Sequence, residues 1–394
     1  MPPAIWKLPV VVILASFLLA GCWDMKEINQ LAIVNLIGVD THKNTGKQEL
    51  YYQVINPKGI ATQAGAPEKA TVYTYRFIGR LGDQFEDISP DVIPRQLFTQ
   101  HYQAIVVSER YAKSGLRELL NFKEGHPERG TNVYLLVSDA PIDRIMDSFI
   151  PLEPLPGRSM RSIIENQSEM TGRISTHTRM KDLIENMETG QISVFPIITY
   201  IGEKSSENSN RLEHIQGTNG NIALLGGALF IHDRMVGKLT KDEMKWYNLL
   251  NRKHERFLET LVINGESVQV KTLNTRLMKK LELHGEELIL HIQIFANTNL
   301  IFNDQKVPTT TTLFNQIEAE FNQRIQKESQ RFIEDSRKKG WDVLGIQYLL
   351  HLKKGAQWKR LAEDKDRWKK VKVVISSHNK IETIGSLISP YKGE

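Results

Sequence analysis

Apolar and polar positions along this chain follow two periods, and the periods sort it into strands and helices. Residues 31–39 are a nearly unbroken apolar run closed by Asp40, the pattern of a largely buried strand. Residues 50–55 are rich in aromatic and β-branched side chains and stop at Asn56-Pro57, a turn signal. Residues 59–70 read as a loop and 71–78 as a third strand. Helical spacing over 84–98 is interrupted by Pro90 and Pro94. Residues 103–107 and 132–137 read as strands. Between them 114–122 reads as a helix with Ser114 as its N-cap. A short helix over 141–149 has Pro141 near its first position. Two more helices are expected at 159–170 and 177–187. A strand follows at 192–200, where Pro196 favours an edge or a bulge.

The second half has a different rhythm. Residues 222–231 and 235–237 read as two strands joined by a tight turn at His232-Asp233-Arg234. A helix is expected over 241–256. Short strands at 260–263 and 268–270 flank Asn264-Gly265, a strong hairpin signal. Residues 288–296 alternate: Leu288, Leu290, Ile292, Ile294 and Ala296 share one face, and His291 lies on the other. The longest helix is expected over 312–339. There Phe314, Ile317, Phe321, Ile325 and Phe332 form one stripe that Gly340 ends. A last strand at 371–376 precedes an expected turn at His378-Asn379.

Hairpins, helices and alternating runs in this order predict an α+β, multi-domain fold. Its sheets should be mixed or antiparallel and flanked by helices, with one long helix in the C-terminal half. Residues 205–221 are polar and almost free of apolar side chains, which marks a linker or long loop. The expected division is a leader at 1–21, an N-terminal region at 22–205, a linker at 206–221 and a C-terminal domain at 222–394. The N-terminal region holds one or two subdomains, the border of two falling near the proline-rich residues 151–157.

Composition changes this picture at one position. The 394 residues contain a single cysteine, Cys22, which excludes an intramolecular disulfide framework and a cysteine-based zinc cluster. Before it, residues 10–20 carry no charge, and Lys7 is the one charged side chain of the leader. A helix spans a bilayer core with about 20 apolar residues, so this run is too short to cross comfortably. Positive start, short apolar middle and small residues at the end are the shape of a secretory signal. The end reads Leu19-Ala20-Gly21-Cys22, which matches the lipobox of bacterial lipoproteins. In such signals the Cys thiol receives a diacylglyceryl group and cleavage falls after Gly21. Two acyl chains suffice for stable anchoring. An exported chain does not meet nucleic acid, so none is expected as a partner.

Catalytic and cofactor signatures are absent: no Gly-x-Ser-x-Gly elbow, no His-Glu-x-x-His, no phosphate-binding loop. Gly202-Glu203-Lys204-Ser205 lacks the Gly-Lys pair that such a loop needs. Eleven histidines are scattered, and His291 reads as a strand surface residue rather than a metal ligand. No catalytic, cofactor or metal site is expected. The net charge of +5 is concentrated late: residues 353–372 hold nine basic and three acidic residues together with Trp358 and Trp368. Such a stretch suits anionic lipid heads or an acidic partner. The expectation is a solvated helical surface whose tryptophans pack inward.

Several blocks carry a family resemblance. Cys22-Trp23-Asp24-Met25-Lys26-Glu27-Ile28 runs into Leu31-Ala32-Ile33-Val34 and Ile37-Gly38-Val39-Asp40. Later come Ala104 to Glu109 with Tyr111, Ala112, Gly115 and Leu116. Then come Gly226-Gly227-Ala228-Leu229-Phe230, Met235-Val236-Gly237-Lys238-Leu239 with Glu243, and Trp341-Asp342-Val343-Leu344-Gly345. In order and spacing these resemble the Ger(x)C family, the lipoprotein C subunits of spore germinant receptors. One block departs from the pattern: of residues 123–129, only Glu128 and Arg129 match. The resemblance implies an α+β, non-enzymatic protein without a cofactor. It would be lipid-anchored through Cys22 to the outer face of the inner spore membrane. It would act with an integral-membrane A subunit and a transporter-like B subunit in nutrient-triggered germination. The competing reading is the solute-binding lipoprotein of a transport system, which would show two parallel α/β lobes.

Overall fold

A strand of the composition of β1 (Leu31–Thr41) has no polar face to give to water, and the fold places it inside a sheet. The computed structural model describes residues 27–60, 70–80, 84–125, 130–148, 153–201, 221–253, 256–303 and 310–383. After β1 come β2 (Gln48–Ile55), the single turn α1 (Pro57–Ile60), β3 (Val72–Gly79), α2 (Gln84–Val92), β4 (Gln96–Phe98) and β5 (Ala104–Ser108). Next are α3 (Glu109–Ser114), α4 (Arg117–Glu124), β6 (Tyr134–Ser138), α5 (Ile142–Met146), α6 (Pro156–Thr171), α7 (Met180–Thr189) and β7 (Ser193–Ile201). Beyond the polar segment lie β8 (Asn221–Ile231), β9 (Arg234–Leu239) and α8 (Lys241–Leu250). Among the described residues these strands form one nine-stranded sheet in the order β3-β2-β1-β5-β6-β7-β8-β9, with β4 parallel to the start of β1. The centre, β1-β5-β6-β7, is parallel, and the flanking pairs are antiparallel. Strands β8 and β9, which follow the polar segment, thus complete the sheet that precedes it.

The second sheet has the order β10-β11-β12-β13, built from β10 (Leu258–Ile263), β11 (Glu266–His284), β12 (Glu287–Asn303) and β13 (Lys372–Thr383). Between β12 and β13 come α9 (Thr311–Lys338), α10 (Ile346–Leu352) and α11 (Ala356–Glu363), and the two strands pair in parallel. The expected stripe Ile317, Phe321, Ile325 and Phe332 is buried, and α9 packs on β10 and β13. The α+β class with mixed sheets and one long late helix is what the chain adopts.

Several expected boundaries move, each for a local reason. Ser114 ends a helix instead of starting one. Gly115 at φ 115° cannot continue it, and the N-cap is Ser108, which accepts from the Tyr111 N–H at 3.0 Å. The turn expected at His378-Asn379 is strand: His378 pairs with Phe295 and Asn379 with Ala296. Strand β11 is far longer than the short strand expected, because Lys and Arg on its outer face alternate with Leu277 and Leu281 on its inner face. Pro196 sits in an interior strand, tolerated beside a bulge at Ile197/Ile198. Helix α6 begins at Pro156 instead of the expected 159, because proline suits a first helical position.

Two apolar cores result. One lies on the α3-α4 side of the large sheet and includes Ile105, Val107, Leu119 and Phe195. The other joins the opposite face of that sheet, through Trp246 and Leu249 of α8, to the inner face of the second sheet and α9. Helix α8 is the joint. The Tyr247 hydroxyl donates to Ile192 O at 2.7 Å, and Asn248 Nδ2 donates to Gly172 O and Arg173 O at 3.2 Å each. Asn251 Nδ2 reaches Val343 O at 2.9 Å.

Close approach completes the joint at Gly237 of β9, on which the Trp341 ring lies. A Cβ added there would stand 2.2 Å from Trp341 Cζ2. Gly237→Ala is therefore expected to destabilise the chain by about 1–3 kcal/mol through overpacking. Equilibrium urea unfolding of the variant checks this, and an unchanged midpoint refutes it.

Candidate functional site

Cys22, the lipid attachment site expected from the sequence, lies outside the described residues, as do the leader 1–21 and residues 206–220 of the expected linker. No helix among the described residues is long and apolar enough to cross a membrane. Nor do three or more His, Cys, Asp or Glu side chains gather there as a metal cluster. His291 stands on the outer face of β12, its Nε2 3.5 Å from Glu282. Trp368 is buried, and Trp358 packs half-buried against the core. Of the basic stretch around them, Arg367 donates to Glu286 O at 3.0 Å.

The motif residues quoted above meet one another in space, and they meet as joints. Asp40 at the end of β1 accepts from Ser108 at the end of β5 and from Arg110 at 2.7 Å. Glu109 pairs with Lys238 at 2.5 Å and Lys113 at 2.7 Å, tying α3 to β9. Gly237 carries Trp341. Asp342 then caps α10, accepting from the N–H groups of Ile346 and Gln347 at 2.9 and 2.8 Å. Burial raises the Asp342 carboxyl above its ordinary range, opposed by those two bonds and by Lys279. Lys279 donates to Leu344 O at 3.2 Å, and burial lowers its amine to about 8. These residues explain how the blocks fit together and offer no reaction centre.

A different place offers a cavity. Helix α2 and the turn into β4 stand over the Ile37 and Tyr52 face of the large sheet, and α4 closes one side. They border an open cleft of about 980 Å³, at the upper end of small-ligand sites. Phe85, Leu97 and Phe122 give it apolar walls, and Gln30, Arg95 and Gln96 give it polar ones. Lys123 reaches it from the last turn of α4. Leu116, Leu119 and Leu120 of the same face are buried, and spacing by three and four carries Lys123 inward with them. Only 3 % of Lys123 is exposed. Its ammonium donates to the Tyr102 hydroxyl and stands 4.0 Å from that ring's centroid. Burial lowers its pKa to about 7. The signal in the sequence was a lysine on an apolar helical stripe. In the sequence it stands within a block that departs from the family pattern.

The sign of the resulting pH dependence is fixed. The folded chain holds this amine near 7 and the unfolded chain near 10.5, so between these values the unfolded state binds more protons. Stability from this group is lowest below pH 7 and rises toward pH 10.5. The stability of the native chain relative to Lys123→Met is expected to climb across that window. Urea unfolding at about pH 6, 8 and 10 measures it, and a flat difference refutes it.

Comparison with known proteins covers most of the chain. Residues 24–200 match the family model described as the spore germination protein N-terminal domain. Residues 225–385 match the model described as spore germination B3/GerAC-like, C-terminal. Spore germination protein KC of Bacillus subtilis (strain 168) is 24% identical over 381 residues, covering 92% of this chain and 90% of that protein. Spore germination protein GerQC of Bacillus cereus is 18% identical over 352 residues, covering 86% and 89%. The crystal structure of the GerBC protein superposes with a TM-score of 0.55 at 13% identity, covering 88% of this chain and 96% of that one.

Proposed function

Since the chain belongs to the GerAC family of spore germination proteins, germinant-receptor C subunits, we propose that it is the lipid-anchored subunit of one such receptor. The observation that carries this is the pair of family models, matched in order over 24–200 and 225–385. The lipobox Leu19-Ala20-Gly21-Cys22 supports anchoring through a diacylglyceryl group on Cys22. In this reading the chain sits on the outer face of the inner spore membrane. There it assembles with an integral-membrane A subunit and a transporter-like B subunit, and it works by contact rather than catalysis, without a cofactor. The two-lobed solute-binding alternative gains no support from a largely antiparallel second sheet joined through one shared core to the first.

The chemistry of the anchor sets the test. Thiolate sulfur is the nucleophile that takes the lipid, and alanine has none. Cys22→Ala is expected to accumulate as uncleaved, unlipidated precursor and to leave the membrane fraction of spores. Germination with the cognate nutrient should fall as far as in a clean deletion. Retention of the variant with incorporated lipid label would refute the anchor. A deletion strain that germinates normally with every nutrient tried, in a background stripped of other receptors, would refute the receptor role.

A further inference from the structure

We propose that the helical corner joining α10 to α11 docks on the head groups of an anionic bilayer, with Leu352 entering the head-group layer. Residues 351–360 are exposed except for Trp358, which packs half-buried against the core. Lys353, Lys354, Lys359 and Arg360 lie within this run, and no acidic residue interrupts it. Among the described residues, none of the four stands within ion-pair distance of a carboxylate. The carboxylates of the region are engaged elsewhere. Asp342 turns inward to cap α10, Asp366 holds Lys369 at 2.6 Å, and Glu287 faces Lys372 at 3.9 Å. Glu363 and Asp364 come after the cationic run, where α11 ends. Where the corner projects, its charge is therefore positive.

Its apolar residue is turned outward. Ile346 and Leu350 face the core, but Leu352, the last residue of α10, is 58 % exposed. Lys353 Nζ stands 5.4 Å from the Trp358 ring centroid, so the indole forms the base of the same patch. Cations around a leucine, with an indole behind them, suit the boundary between head groups and acyl chains. Long side chains without partners hold no fixed geometry. A fluid array of head groups requires none, whereas a folded acidic partner is recognised by charges in register.

The corner also lies on the correct side. Gly345, the N-cap of α10, rests against Gln191, just ahead of β7: a Cβ added there would stand 3.2 Å from Gln191 Oε1. Strands β1, β5, β6 and β7 run in one direction, so Gln191 and the start of β1 share one end of the large sheet. The seven residues of α10 keep Leu352 within about 10 Å of Gly345 along the helix. From the same end the chain leads back from Glu27 to Cys22, a span of at most about 18 Å. A diacylglyceryl group on Cys22 would hold this end of the molecule at the bilayer, and in that respect the inference rests on the anchor reading.

The test places the mature lipidated protein in vesicles of phosphatidylcholine, with and without phosphatidylglycerol. With lipid on Cys22, Leu352→Cys supplies the sole free thiol, and it takes an environment-sensitive fluorophore. Its emission is expected to shift to the blue, and to be quenched by nitroxide lipids, on the mixed vesicles only. Raising salt from about 0.05 to 0.5 M should reverse the shift. The same label at Asn44→Cys, exposed in the turn between β1 and β2 at the other end of the sheet, should stay aqueous on both. Replacing Lys353 and Lys354 together by Gln should lower the ratio of docked to undocked protein by about tenfold or more. The melting point should not move, since both side chains are exposed. The proposal is overturned if the Leu352→Cys label stays aqueous on both vesicles or responds equally on both. It is equally overturned if Asn44→Cys responds as Leu352→Cys does, or if the lysine replacements change nothing. Intact mass reports the lipid on Cys22 separately. A lipidated protein with an aqueous label overturns docking alone, whereas a protein found without lipid overturns the anchor reading and docking with it.

Discussion

Glu259 is a carboxylate taken almost wholly out of water, with 2 % of its surface left exposed. An ion so placed costs several kcal/mol unless cations meet it. Two do: Lys245 of α8, itself buried, and Arg324 of α9. The three groups come from the edge strand of the second sheet, the helix that leaves the first sheet, and the long helix. None of the three can take another position without stranding a charge in the core. Beside them Phe257 stacks on Phe321, with centroids 6.0 Å apart, so apolar contact and charge fix the same register. With α8 held from this side, its Tyr247, Asn248 and Asn251 are aimed at the backbone of the N-terminal elements and of the segment before α10.

Much of this architecture was legible in the chain. Strands such as β1 and β6, buried on both faces, are apolar throughout, and α9 repeats its aromatics on one stripe. What escaped was structure whose burial is one-sided or whose polar groups are satisfied at a distance. Lys279 looks like surface in the sequence, yet it points inward to Asn251 and Leu344, far from it in the chain. The polar run Ser376-Ser377-His378-Asn379 imitates a turn. In the fold Ser377 bonds Asn322 of α9 at 2.9 Å, and His378 stacks on Phe295 on the outer face. Local pattern reports propensity, and these residues obey partners that only the tertiary fold supplies.

The same division holds for the functional residues. The family motif could be read because it is a set of close fits that tolerate few side chains. Gly226 leaves 2.3 Å between an added Cβ and Leu239 O, and Asp40 needs a hydroxyl and a guanidinium at fixed positions. Such residues announce a family and its fold rather than a ligand. The cavity is assembled from β1, β2, α2, β4 and α4, and each contributes side chains that look ordinary in their own segments. Only the lysine at the end of the Leu116-Leu119-Leu120 face broke its local pattern. Burial, not sequence, turns it into an amine that titrates near neutrality.

The order of strands carries a consequence for how the molecule comes into being. Strand β7 lies between β6 and β8, and β8 is separated from it by residues 202–220. A chain made from its N-terminus therefore presents β7 with one side unpaired until the polar segment and β8 have followed. An open apolar edge is the kind of template on which other chains assemble. The emerging protein passes through a window of adhesiveness whose length is set by how fast the rest of the chain follows rather than by stability, and it closes when Gly227 settles against Pro196.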